Sequence, residues 1–504
     1  MQALPRRAGA RSATTAAAAL RRSIARPETR SSSPFVCSSC LATPTRTFSS
    51  SQRCNNDSTT KTHSPPAPSS PPPSSGYAAL PSRRVISVSG VDAAKFLQGM
   101  VTSNMTDLTT TARRPLPAGF YTGFLQSTGR VLYDVFIYPD TLGLGGGAAE
   151  PMGTPDAPLP TESFLIECDD AQTGAVMRHI KKYKLRSKFK FRALEPEECM
   201  VWQVWNDATF AAQNGSSEAG AEEGQKNAAN LLLPDQQGKI ILRDPRSPTM
   251  GLRVLGPAGT LGAALPSVQA EQSSADAYRI RRYLNGVAEG AAEIQRDTAL
   301  PLEANMDVMG GIDFRKGCYL GQELTIRTKH RGVVRKRILP VVLYGENDAA
   351  PETLEYKPSV TTTTGTGEGE GGLSLSAADV PNYVSIGRTG GRKGRSAGVF
   401  LDGVGNIGLG LCRLQMMTDV QLPGEAAEAA PFDPSKEFLM QWGGGEEEGS
   451  PAAQKLKIKA FVPEWLRSKL NEGNGGSFSL MKEVMATVLP PPLYQQATFV
   501  RYKT

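Results

Sequence analysis

Residues 131–138 are apolar on both sides. Val131, Tyr133, Val135 and Ile137 alternate along one face, and Leu132, Asp134, Phe136 and Tyr138 along the other. A period of two predicts a strand, and a strand apolar on both faces belongs in the interior of the molecule. Asp134 is the exception on its face. A buried carboxylate needs a partner, either a protein donor or a ligand, and the local sequence leaves both open. The turn Ser127-Thr128-Gly129-Arg130 joins this strand to an expected strand over 120–126, which makes a hairpin.

Around that hairpin the chain reads as mixed α and β. Ile86 and Val88 alternate with serines in a strand that ends at Gly90, and Asp92 is placed to cap a helix whose apolar face holds Phe96, Leu97, Met100 and Val101. Residues 164–168 form a further expected strand, followed by a helix with Val176, Ile180 and Tyr183 on one face. The run 181–192 alternates basic and apolar residues and reads as a half-exposed strand with a solvated basic face, or as a phosphate-binding surface. A strand over 250–256 and a helix from about residue 275 follow. From about Val333 the chain is strand-like, at 338–344, 398–400, 407–411 and 456–460, which fits a small β-barrel. The expected fold class is therefore α+β, with an α+β body over 81–332 and a β-barrel region over 333–504. Low-complexity stretches near 141–160, 207–228, 360–377 and 422–454 read as insertions.

The charge is unevenly placed. The 504-residue chain carries a net +7, but residues 1–56 hold nine arginines, no lysine and one acid, Glu28. They contribute +8 and leave −1 for the rest. Arg, Ser and Ala with almost no acid is the composition of a mitochondrial transit peptide, here expected over 1–48, with cleavage after Phe48 and a Ser/Thr/Pro-rich disordered linker over 49–80. The charge balance beyond the leader argues against nucleic acid as a partner. No apolar run reaches the length of a membrane span. Cys37 and Cys40 have redox or zinc spacing but lie in the leader. Cys54, Cys168, Cys199, Cys318 and Cys412 are scattered and form neither a disulfide framework nor a ligand set.

The densest segment for chemistry is 300–331. Gly317 and Gly321 bracket a turn around Cys318, and from Gln322 the chain reads as a short helix ending before Gly332. Cys318 then precedes a helix N-terminus, with Lys316 two residues away. Both features favour thiolate, which is a nucleophile and a soft metal ligand. The bland alternative is a small packed hydrophobe. Lys316-Gly317-Cys318-Tyr319-Leu320-Gly321-Gln322-Glu323 resembles the signature of the YgfZ-type folate-binding iron–sulfur cluster assembly and repair family, and most of all its mitochondrial branch. Arg282 through Gly290, Leu300-Pro301-Leu302-Glu303, Gly332 through Arg337, and Gly90 through Gly99 resemble further family segments.

The resemblance implies the aminomethyltransferase-like fold of the glycine cleavage T-protein: interlocked α+β modules around a central channel, the last a β-barrel, with tetrahydrofolate in the channel. It implies folate contacts from Asp134, Tyr133, Arg282, Tyr319, Gln322 and Glu323. Of these, Gln322 and Glu323 also suit holding the loop, and Tyr133 stands where the transferase has a first acid. It implies Cys318 as the working residue with Lys316 steadying its thiolate, and Cys318 as a transient metal ligand rather than part of a stable site. Cluster ligation usually takes four cysteines, so A-type scaffold or carrier proteins of the mitochondrial matrix would supply the rest. The function implied is late assembly of [4Fe–4S] proteins. The alternatives are a folate-dependent one-carbon transferase and, more weakly, an RNA-binding or tRNA-modification-linked protein.

Overall fold

The computed structural model describes residues 67–105, 119–145, 163–213, 237–259, 270–331, 333–362, 373–389, 396–420, 432–443 and 453–471. The leader, the linker up to residue 66 and Cys37, Cys40 and Cys54 lie outside them. In chain order the body runs β1 (Ser75–Ala79), β2 (Arg83–Ser89), α1 (Ala93–Met100), β3 (Phe120–Leu125), β4 (Val131–Pro139), β5 (Ser163–Asp169), α2 (Thr173–Lys184), β6 (Lys190–Ala193), β7 (Met200–Asn206), α3 (Asp207–Gln213), β8 (Ile240–Arg243), β9 (Leu252–Gly256), β10 (Glu271–Gln272), α4 (Ala275–Leu284) and α5 (Gln322–Arg331). Then come β11 (Lys336–Tyr344), β12 (Val360–Thr362), β13 (Leu373–Leu375), β14 (Ser385–Arg388), β15 (Gly398–Val404), β16 (Ile407–Arg413), β17 (Phe438–Trp442) and β18 (Gln454–Ala460).

Two five-stranded sheets form the body, in the orders β3-β4-β5-β2-β6 and β10-β1-β7-β9-β8. The 3.6-residue period of α1 and α2 lays Phe96, Leu97, Met100, Val176 and Ile180 on one face of the first sheet, against Val88, Phe124 and Tyr133. The opposite face of β4 joins the large central core through Phe136 and Tyr138. β4 is thus covered on both sides, as its composition requires. β11, β16, β15, β14, β17 and β18 close into a barrel, because β11 pairs with both β16 and β18. Alternate side chains such as Leu339, Val341, Phe400 and Met440 pack in a core cluster of the barrel strands. The α+β body and β-barrel end are as expected.

Four expectations need correction. The linker was expected to run to residue 80, but Ser75–Ala79 is a strand paired with β7 and β10. Trp205 Nε1 also donates to Pro73 O at 2.9 Å, so backbone pairing outweighs the polar composition there. The run 181–192 is a helix end and a turn before a strand of only four residues, Lys190–Ala193. Of the expected insertion 422–454, Phe438–Trp442 is a barrel strand; of 207–228, Asp207–Gln213 is a helix. Asp92 precedes α1 but does not cap it. Its carboxylate instead accepts from Lys188 N at 2.6 Å, which pins the loop before β6.

Candidate functional site

The loop before α5 puts Cys318 on the surface. Cys318 is exposed, whereas Cys168, Cys199 and Cys412 are buried, their thiols pushed up to about 12 by burial. Backbone geometry holds the loop. Gly321 has φ +81, and a Cβ there would stand 2.3 Å from Gln126 O. Gly129, at φ +84 in the β3–β4 turn, would put a Cβ 2.9 Å from Gly321 O. Two glycines are therefore required where the loop meets the hairpin. Gly317 differs: a Cβ there would meet nothing within 4 Å, so the space beside Cys318 is open. Gln322 Oε1 accepts from Tyr319 N at 3.1 Å, so Gln322 holds the loop. Glu323 is exposed in the first turn of α5, where an acid suits the helix dipole, and Tyr319 is buried.

Lys316 has a different place from the one its spacing suggested. Its ammonium donates to Gln98 O at 2.8 Å, Val101 O at 2.7 Å and Ser103 O at 2.8 Å, and lies over the Tyr319 ring. All three protons of the cation are engaged at the C-terminal end of α1, where carbonyls lack helical partners. Burial draws its pKa down to about 8. Lys316 thus anchors the cysteine loop to α1, and the expectation that it steadies a Cys318 thiolate gives way to that role.

Asp134 lies at a second, buried place. It is 2% exposed, accepts from Gly290 N at 3.0 Å, and sits 3.6 Å from Arg83 Nη1. Burial pushes its carboxyl above the usual range, although Arg83 opposes that. Asp134 belongs to a network that joins both sheets and α4. Arg253 on β9 donates to Glu167 on β5, to Glu289, to Gln203 on β7 and to the Tyr278 hydroxyl. Arg246 chelates Asp244 and reaches Glu289 at 2.7 Å. Burial alone would raise Glu167 and Glu289, but their arginines outweigh it and hold both below the normal carboxylate value. Four buried atoms here make no hydrogen bond, Arg83 Nη1 and Nη2, Tyr121 OH and Asp134 Oδ2, although Nη1 and Oδ2 face each other as an ion pair at 3.6 Å. That leaves Arg83 Nη2 and the Tyr121 hydroxyl as the buried polar atoms with neither a hydrogen bond nor an ion-pair contact.

The other expected folate contacts do not gather at this point. Tyr133 points to the opposite face of β4, among Phe124 and His179. Arg282 is committed to Glu293, at 2.6 and 2.8 Å, and to Val287 O. Tyr319, Gln322 and Glu323 stay with the cysteine loop. Sequence reasoning missed Arg83, Glu167, Arg253 and Glu289. The signal for two of them was the one that marked Asp134: Glu167 and Arg253 are charges flanked by apolar residues within their strands. Among the described residues, no group of three or more His, Cys, Asp or Glu is arranged to hold a metal ion. No helix there is long and apolar enough to cross a membrane.

No family model matches the chain. A curated protein of Pyricularia oryzae, described as "Iron-sulfur cluster assembly factor IBA57 homolog, mitochondrial", is 46% identical over 457 residues, 90% of this chain and 98% of that protein. Proteins of the same description from Neosartorya fischeri and Neurospora crassa are each 43% identical, over 454 residues (88% and 92%) and 438 residues (86% and 88%). Among solved structures, the glycine cleavage system aminomethyltransferase T of Bartonella henselae is similar at a TM-score of 0.46 and 13% identity, covering 78% of this chain and 86% of that one, too loose a likeness to bear on function. With relatives this similar over nearly their whole length, the chain belongs to the family of mitochondrial iron–sulfur cluster assembly factors described as IBA57 homologues.

Proposed function

We propose that this protein is a mitochondrial iron–sulfur cluster assembly factor of the matrix, acting late in the maturation of [4Fe–4S] proteins. The observation that carries this reading is the placement of Cys318. Of the described cysteines it alone is exposed, on a loop fixed by Lys316 and Gly321 and open beside Gly317. An exposed sulfur on a fixed loop can ligate a cluster while that cluster passes between proteins. Ligation usually takes four cysteines, so an A-type carrier would supply the remaining ligands.

Tetrahydrofolate, which the family resemblance implies, would be held at its ring edge by the buried polar atoms of Arg83 and Tyr121 that make no hydrogen bond. When bound, it would supply a reduced one-carbon carrier. Arg83, set in place by Asp134 and Glu167, would orient such a guest, and the surrounding buried network would exclude water. The same buried polar atoms support the second reading, a folate-dependent one-carbon transferase.

Cys318→Ala, introduced into a strain lacking the endogenous protein, separates the two. The expected outcome is loss of aconitase-type and lipoate-dependent activities with [2Fe–2S] enzymes spared. Full rescue by the variant would end the assembly reading. Folate turnover by purified protein that survives the substitution would favour the transferase.

A further inference from the structure

The surface around the α2–β6 turn carries an unpaired basic charge that the proposed function does not use. Lys181, Lys182, Lys184, Arg186, Lys188 and Lys190 crowd this segment, and Lys95 of α1 faces it across a cleft of about 660 Å³ lined also by Phe96 and Leu185. A second cleft of about 520 Å³ has Phe189 and Phe191 with Lys184, Lys190 and Arg192 around them. Among the described residues no carboxylate forms an ion pair with any of these lysines or with Arg186. The acids nearby are engaged, Asp170 with Arg84 and Glu198 with Arg192, while Asp92 accepts from the Lys188 backbone.

Two of the three large hydrophobic residues exposed in the described structure stand in this basic ring: Leu185, 87% exposed, and Val91, 62% exposed. Leu185 is also strained. It occupies φ 45, ψ −111, in a turn closed by Ser187 N donating to Lys184 O at 2.8 Å. That is the glycine position of a type II′ turn. A leucine held against its backbone preference and then left in water is stabilised by nothing in the fold, and strain of this kind points to use.

The chemistry selects the partner. Lysine is depleted in protein–protein interfaces. Single-stranded nucleic acid calls for exposed aromatic rings to stack on, whereas Phe96 and Phe189 are buried, Tyr183 and Phe191 are only half-exposed, and the fully exposed apolar tips are aliphatic. Aliphatic tips in a ring of lysines match the boundary of a bilayer, apolar just beneath and anionic at the headgroups. We propose that this surface docks the protein reversibly on membranes rich in anionic phospholipid, with Leu185 and Val91 entering the interface. Val91 lies two residues before α1, Lys95 and Gly99 stand four residues apart on it, and Gly99 O accepts from Leu320 N. Docking therefore brings the membrane surface alongside the Cys318 loop.

The test is sedimentation of the full-length protein with vesicles of phosphatidylcholine, with or without phosphatidylglycerol. The arginine-rich residues 1–48 would attract anionic lipid as well, so every variant keeps them and is compared with the unmodified chain. Lys182→Gln/Lys188→Gln/Lys190→Gln is expected to weaken binding to anionic vesicles about a hundredfold. Leu185→Gly is expected to raise the melting temperature by relieving the turn and yet weaken vesicle binding about tenfold. A purely structural leucine would not move these two readouts in opposite directions. In Leu185→Trp, emission is expected to shift blue and to be quenched by brominated lipid. The proposal is overturned if the triple variant binds as the unmodified protein does, if the Leu185→Trp emission is unmoved by anionic vesicles, or if the same lysines prove necessary for an RNA oligonucleotide or an acidic protein but not for vesicles.

Discussion

The Lys316 ammonium and the Val101 carbonyl oxygen lie 2.7 Å apart, and this bond continues into the interior. Next to Val101, Thr102 Oγ1 accepts from Gly123 N, and Gly123 on β3 is the register partner of Asp134 on β4. The cysteine loop and the buried acid are thus mechanically joined through α1 and one sheet. Lys316→Met removes three charge-assisted bonds and leaves buried carbonyls unpaired. It is expected to destabilise the protein by about 2–4 kcal/mol in urea denaturation.

Gly321→Ala tests the contact with the hairpin. The added methyl meets Gln126 O at 2.3 Å in a backbone conformation that L residues rarely adopt. A loss of about 2–4 kcal/mol is expected, with alkylation of Cys318 in the native protein faster because the loop opens. Gly317→Ala, facing open space, is expected to change stability by no more than about 0.5 kcal/mol.

The buried ionic network should be intolerant of a missing partner. Arg253→Met leaves Glu167 and Glu289 without the cation that bonds both. Breaking such a group typically destabilises by about 3–5 kcal/mol, which calorimetry would read as a large fall in melting temperature. The acid limb of the stability profile should change with it. In the native protein these carboxylates titrate below their usual value, so their contribution is present above about pH 4.5 and fades as pH falls below it.

His179 gives a separate window. Burial among Phe124, Tyr133 and Tyr183 holds its pKa down to about 4, from 6.5. As pH falls from 6.5 to 4 the unfolded chain takes up a proton that the folded chain does not, so stability declines across that window and the effect levels off below it. His179→Phe keeps the ring contacts and removes the proton site. It is expected to recover on the order of 2 kcal/mol at pH 4 and little at pH 8, measured by denaturation at several pH values.

Much of this molecule was readable one residue at a time. The strand at Val131–Pro139, the helices at Ala93–Met100 and Ala275–Leu284, four of the six barrel strands and the helix from Gln322 all follow from local periodicity and turn residues, because those signals lie within a few neighbours along the chain. The same is true of the exposed turn at Cys318. Distant pairing decided the rest. Ser75–Ala79 looks like linker until β7 and β10 pair with it, and Phe438–Trp442 looks like insertion until the barrel closes around it. Lys316 is two residues from Cys318 in sequence, yet its cation is committed to carbonyls more than two hundred residues earlier. Arg83, Glu167, Arg253 and Glu289 become one network only when two sheets and a helix are stacked. Hydrophobic periodicity records which side of an element is buried. Which charge meets which depends on three-dimensional contacts that no local window contains.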